Sequence, residues 1–237
     1  MRGLLVLAAI LVLASATPAI GSFHSAVQGK VPDRVFVLAM SGTSFNGLHG
    51  PEAPLLEAYL GERVRFAVLA TEPHTFHLHG HPWRLDDGSI VDTFFVNADQ
   101  PHVFDVPAGG ADRHAGDWLY HCHFNAHAAE GMWGVFRVYP YSAHLLAGQT
   151  LQLARLGEPV DGASVEATLD GAPLAMHVEP LGGGRYALHA ALPATGELVV
   201  TATHPELGLT VLRHALGGGA SSAPSIAALG IPGHAHP

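Results

Sequence analysis

Between residues 31 and 140 the chain runs in short stretches where apolar and polar positions alternate, with glycine and proline between them. Arg34-Val35-Phe36-Val37-Leu38-Ala39-Met40, the spaced residues Glu62, Val64, Phe66 and Val68, His102-Val103-Phe104-Asp105-Val106, Trp118-Leu119-Tyr120 and Gly134-Val135-Phe136-Arg137-Val138-Tyr139 each read this way. A period of two marks a strand with one buried face. No amphipathic helix of ordinary length can be drawn, so an all-β sandwich or barrel is expected. Trp83, Trp118 and Trp133 are expected in its core.

From about residue 143 aromatics thin out and Ala, Leu and Gly take over. Alternation continues in Gln149-Leu151-Leu153, Ala163-Val165-Ala167-Leu169, Arg185-Tyr186-Ala187-Leu188 and Leu198-Val199-Val200-Thr201-Ala202, with Asp170-Gly171 as a hairpin turn. A second, small immunoglobulin-like β-sandwich over 143–216 is expected. Residues 217–237, rich in Gly, Ala, Ser and Pro, are expected to be a flexible tail. At the other end, Arg2, the apolar run Leu4 to Leu13 and the small residues up to position 21 read as a signal peptide. That run is too short for a stable membrane span, which takes about 20 residues. The mature protein is therefore expected to be secreted or periplasmic, in any case extracytoplasmic.

A chain of 237 residues suits one or two domains. Eleven Lys plus Arg against 20 Asp plus Glu give a net charge of −9, and no basic run exists, which argues against nucleic acid as a partner.

The chemistry is concentrated in His74-Thr75-Phe76-His77-Leu78-His79-Gly80 and His121-Cys122-His123-Phe124-Asn125-Ala126-His127, with Met132 closing the second cluster. Cys122 is the only cysteine. Imidazoles beside one thiolate and a thioether suit copper best. Zinc accepts the same nitrogens and sulfur but rarely recruits a thioether. On a strand, Cys122 points to one face and both flanking histidines to the other. Likewise His77 and His79 share a face and His74 has the opposite parity. An inward Cys122 can meet His74, His127 and Met132, the last two from the loop that follows, while four histidines form a separate outward patch.

These motifs, together with Asp92-Thr93 and Gly116-Asp117-Trp118-Leu119-Tyr120, resemble the last cupredoxin domain of multicopper oxidases over residues 31–140. The resemblance implies a cupredoxin-like Greek-key β-barrel or sandwich. It further implies a type 1 copper held by His74, Cys122, His127 and Met132, a type 2 ligand at His77, and type 3 ligands at His79, His121 and His123. His81 has no ligand role in the family pattern. Cys122 and its peptide neighbours His121 and His123 form the implied electron path.

A complete trinuclear cluster in that family takes eight histidines, half of them from a second cupredoxin domain that this sequence does not contain. A homo-oligomer or a partner cupredoxin domain is therefore expected to supply the rest. Twofold pairing of two chains would give two copies of His77 and six histidines from positions 79, 121 and 123. The expected function is oxidation of a small-molecule or metal-ion reductant, donating electrons through exposed His127 or His74, with reduction of dioxygen. Asp86 and Asp87 are candidates for a role beside the first motif. A non-enzymatic blue-copper electron carrier or copper-holding protein is the alternative.

Overall fold

The computed structural model describes residues 31–98 and 100–217. The expected signal peptide (1–21) and residues 218–237 of the expected tail lie outside the described residues.

The chain runs through β1 (Arg34–Ser41), β2 (Ser44–Phe45), β3 (Leu56–Tyr59), β4 (Arg63–Ala70), β5 (His74–Leu78), β6 (Trp83–Arg84), β7 (Ile90–Val91), β8 (Thr93–Val96), β9 (His102–Pro107) and β10 (Gly116–Cys122). After the one-turn helix α1 (Asn125–Ala129) comes β11 (Trp133–Tyr139). One sheet has the order β2-β1-β4-β9 and the other β3-β11-β10-β5-β8, with β6 and β7 paired apart. β1 runs parallel to β4, and β3 parallel to β11, while the other pairings are antiparallel. Since β3 lies in the opposite sheet from both β1 and β4, the chain crosses between layers in Greek-key fashion.

Alternation in sequence becomes alternation in burial: along β4, Val64, Phe66, Val68 and Ala70 are buried and the residues between them are half-exposed. These side chains meet Phe36, Phe76, Phe104, Tyr120 and Phe136 in one core. Phe66 sits at its centre, with ring centroids 5.6 Å from Phe36, 5.3 Å from Phe104 and 5.6 Å from Phe136. Such pairs each contribute about 0.5–1.5 kcal/mol beyond the area they bury. Trp83 belongs to this core, Trp118 packs partly buried against it, and Trp133 is only partly buried. β3 carries no alternation because all four of its residues are buried, including Glu57.

The second body comprises β12 (Ser142–Leu146), β13 (Thr150–Arg155), β14 (Glu158–Pro159), β15 (Ser164–Leu169), β16 (Ala172–Pro173), β17 (His177–Gly182), β18 (Arg185–His189), β19 (Gly196–His204) and β20 (Gly208–Leu216). Two sheets, β12-β13-β18-β17 with β14 on β13, and β16-β15-β19-β20, enclose a separate core. Asp170 and Gly171, at φ 48° and 80°, turn β15 into β16, as a type I′ turn requires.

Tyr59 and Tyr139 of the first body pack into the second core. The Tyr59 hydroxyl donates to Ala143 O at 3.2 Å and Val211 O at 2.9 Å. Buried Glu57 accepts from the Tyr139 hydroxyl at 2.5 Å and from Arg213 Nε at 3.3 Å. An ion pair removed from water in this way contributes little net stability but fixes how its carriers meet.

Candidate metal centre

β5 and β10 are adjacent antiparallel strands, with Cys122 opposite Phe76, His121 opposite His77 and Tyr120 opposite Leu78. This register brings the two histidine motifs together. Their residues then divide by parity: His74, Phe76, Leu78, Tyr120 and Cys122 are buried, whereas Thr75, His77, His79 and His121 are half-buried and His123 is exposed. One strand pair thus carries two donor sets on opposite faces.

The inner set is closed. His74 Nδ1 and His127 Nδ1 stand 3.2 Å apart, and Cys122 Sγ lies 3.8 Å from the first and 3.6 Å from the second. A point equidistant from these three atoms lies about 2.1 Å from each, inside the ~2.0–2.3 Å range of nitrogen and thiolate bonds to zinc-sized ions. A trigonal pair of imidazoles and a thiolate is the blue-copper donor set, so the residues fit the metal. Met132 is fully buried, donates its backbone N–H to His127 O at 2.9 Å and accepts the Cys122 N–H at 3.1 Å. Its backbone therefore ties together two of the three donors.

His127 rides on α1 rather than on an irregular loop, and α1 is a single turn with no side-chain cap. Five residues are too few to give an amphipathic pattern, so the sequence does not announce it. His74 has no exposed surface, contrary to the expectation that it could present an edge to a reductant. Only His127 is partly exposed, with the Phe124 ring edge-on to it at 5.4 Å. Burial lowers the pKa of His74, which keeps the ring neutral and its lone pair available.

The outer set is open. Donor atoms of His77, His79 and His121 all lie within 4.8 Å of one another. His79 Nε2 and His121 Nε2 are 3.1 Å apart. His123 is not within that group, but its ring lies 5.3 Å from His77 and 5.6 Å from His121. His77 Nδ1 donates to Asp92 O at 2.8 Å and lies 2.8 Å from Thr93 Oγ1, and His121 Nδ1 donates to Cys122 O at 2.9 Å. In both rings the proton is thereby fixed on Nδ1, which leaves Nε2 as the donor atom. Asp92-Thr93, which the sequence offers without a role, thus orients His77.

His81 is structural. Its Nδ1 donates to His79 O at 2.7 Å and its Nε2 accepts the Gly109 N–H at 3.0 Å, so a neutral ring pins the β5 turn to the turn after β9. Gly80, at φ +66°, is required there: a Cβ would lie 2.3 Å from the Trp118 ring. Asp87 accepts from Ser89 N–H at 2.9 Å within the β6–β7 turn, so its partner is local. In the second body His177 and His189 stack across β17 and β18 at 5.7 Å, but they join no group of three donors.

Sequence reasoning missed Glu72 and Thr75. Glu72 Oε1 lies 3.1 Å from His74 Nε2, and Thr75 Oγ1 lies 3.8 Å from Cys122 Sγ while accepting the His123 N–H at 2.9 Å. Both stand within two residues of His74, and a carboxylate so near a motif histidine is the signal that could have found Glu72.

Residues 25–142 match the family described as multicopper oxidase. A probable nitrite reductase-hydroxylamine oxidoreductase fusion protein of Kuenenia stuttgartiensis is 39% identical over 87 residues, which are 35% of this chain and 10% of that protein. Among solved structures, a laccase from Pediococcus acidilactici is 22% identical, with TM-score 0.41, over 53% of this chain and 29% of the other. A copper nitrite reductase from Nitrosomonas europaea is 17% identical, with TM-score 0.39, over 46% and 50%. The chain thus spans a tenth of the curated relative and half or less of these solved proteins. Its all-β first body is a cupredoxin-like sandwich, its donor set suits copper, and through residues 25–142 the chain belongs to the multicopper oxidase family.

Proposed function

We propose that this protein is an extracytoplasmic copper oxidoreductase that takes electrons from a small-molecule or metal-ion reductant and delivers them to dioxygen. The observation that carries the reading is the triangle of His74 Nδ1, His127 Nδ1 and Cys122 Sγ, directly behind a second convergence of imidazoles. Copper, when bound, supplies one-electron redox chemistry at the inner set and dioxygen reduction at the outer one.

The chain's own residues divide the work. His74, Cys122, His127 and Met132 hold the type 1 ion. His127 offers the partly exposed edge to a reductant. Cys122 is joined by single peptide bonds to His121 and His123, so the inner and outer sets are covalently linked. His77 serves as a type 2 ligand and His79, His121 and His123 as type 3 ligands. Four outward imidazoles per chain are half of a trinuclear set, and a second copy meeting this face completes it; a partner cupredoxin domain is the other source. Phe95, 49% exposed and opposite Thr75 on the same sheet, gives that face an apolar contact. The second body is read as an immunoglobulin-like accessory module. No helix among the described residues is long and apolar enough to cross a membrane.

A second reading, a non-enzymatic blue-copper carrier, is favoured by one observation: among the described residues three inner donors converge to enclose an ion within one chain, whereas the outer imidazoles number half of a trinuclear set. Copper stoichiometry, absorption spectra and oxygen uptake on protein of measured solution mass separate the two. More than one copper per chain in an oligomer, with blue and near-ultraviolet bands and oxygen consumption on a phenolic reductant, is expected. One copper per chain in every oligomeric state without oxygen uptake overturns the oxidase reading.

A further inference from the structure

We propose that Glu72 is a positioning residue of the inner site: its carboxylate accepts the Nε2 proton of His74, holding the Nδ1 lone pair toward Cys122 and His127, and its charge favours the cupric over the cuprous state. This inference rests on the reading of the inner set as a copper site.

Glu72 Oε1 lies 3.1 Å from His74 Nε2, while His74 Nδ1 is the atom that faces His127 and Cys122. The two ring nitrogens therefore have different partners, and a proton on Nε2 is the only arrangement that satisfies both. His74 has no exposed surface, and the Glu72 carboxylate is the polar group at its Nε2. The carboxylate is itself held from two parts of the chain. It accepts hydrogen bonds from the Gly42 N–H at the end of β1 and from the Thr71 hydroxyl. Thr71 N–H in turn donates to Met40 O at 3.0 Å, which fastens the segment to β1.

The local sequence supports the same geometry. Thr71-Glu72-Pro73-His74 places a proline between the two partners, which restricts Glu72 to extended backbone. The chain bends at Thr71 and Glu72, just before β5, and the Glu72 carboxylate lies against His74 Nε2. A fixed negative charge against one ligand ring opposes reduction of a bound cupric ion. It works against the buried thioether, which favours the reduced state, and so tunes the potential downward.

The test compares wild type with Glu72→Ala and Glu72→Gln, whose altered side chain is 44% exposed in the parent and tolerates replacement. Nitrogen-15 NMR of the metal-free protein reads the His74 tautomer, competition titrations give cupric and cuprous affinities, and redox titration gives the potential. The metal-free wild type is expected to show Nε2–H at His74 and Glu72→Ala a mixture of tautomers. Cupric affinity in Glu72→Ala should fall about 10–100-fold. Cuprous affinity should fall less, raising the potential by about 59 mV for each tenfold change in their ratio. Glu72→Gln keeps an acceptor oxygen without the charge, so it should restore the tautomer and retain the raised potential. Nδ1–H at His74 in the wild type, or unchanged affinities and potential in Glu72→Ala, overturns the proposal. If the wild type binds no copper at Cys122 yet shows the expected tautomers, the copper reading fails while the Glu72 contact stands.

Discussion

The two faces of the β5–β10 strand pair carry donors from the same two motifs and differ in closure. On the inner face two donors are buried and the third, His127, is partly so; all three converge within one chain, and the backbone of Met132 ties two of them. On the outer face four imidazoles are half-buried or exposed, two of them, His77 and His121, are oriented by backbone carbonyls, and among the described residues no further donor joins them to complete a cluster of eight. Burial gives the inner face fixed geometry and low dielectric, which suit an ion that changes only its charge. Openness leaves the outer imidazoles within reach of solvent. Parity alone separates these roles, because neighbouring residues on a strand cannot share a side.

The largest expected effect breaks the inner face alone. Cys122→Ser should abolish the blue absorption completely while leaving the histidines at 77, 79, 121 and 123 able to take up metal, as read by copper stoichiometry before and after dialysis. Loss of all copper in this variant would show that the faces are not independent. The reverse experiment comes next: His121→Ala and His123→Ala, alone or together, should remove oxygen consumption to a similar extent, since members of one assembly are not additive. Both should keep the blue band, and its disappearance would merge the two sites.

A smaller effect tests the hinge between the motifs. In Gly80→Ala the new methyl meets the Trp118 ring at a positive φ, and strain with overpacking should cost about 2–4 kcal/mol in a denaturant titration. Because the displaced turn carries His79, oxygen uptake should suffer more than the blue band. An unchanged midpoint would mean that Trp118 moves aside freely.

The smallest effect lies away from both faces. Burial pushes Tyr59 up to about 12 from its ordinary 10.0 and Tyr141 likewise to about 12. A phenol whose folded pKa is raised contributes stability that is complete below pH 10 and is lost as pH climbs toward 12, because the unfolded chain ionises first. Tyr59→Phe should cost about 1 kcal/mol at neutral pH through its lost hydrogen bonds. It should also give a shallower alkaline decline, with the blue band untouched. A decline as steep as wild type would assign the alkaline loss elsewhere.

Much of the first body was legible because its strands bury one face and show it as alternation: β1, β4 and β9 follow the pattern closely. β3 was not, since a strand buried on both sides has no period to read. β17 was missed for the opposite reason, with most of its residues exposed. At the metal centre the donors were readable from residue type and spacing, while their supports were not. Thr75, Asp92 and Gly109 act through contacts with residues distant in sequence, and a one-dimensional pattern records parity but not which strand lies alongside.

By itself the sequence determined the ligand chemistry and its division into two faces, because side-chain type and strand parity are local properties. Only the tertiary structure decided that β5 lies against β10 in the register that closes the triangle. It also decided that His74 is sealed from solvent and that, of the three inner donors, His127 alone reaches the surface. Those facts depend on segments far apart in the chain being packed together, and burial is a property of the packed whole.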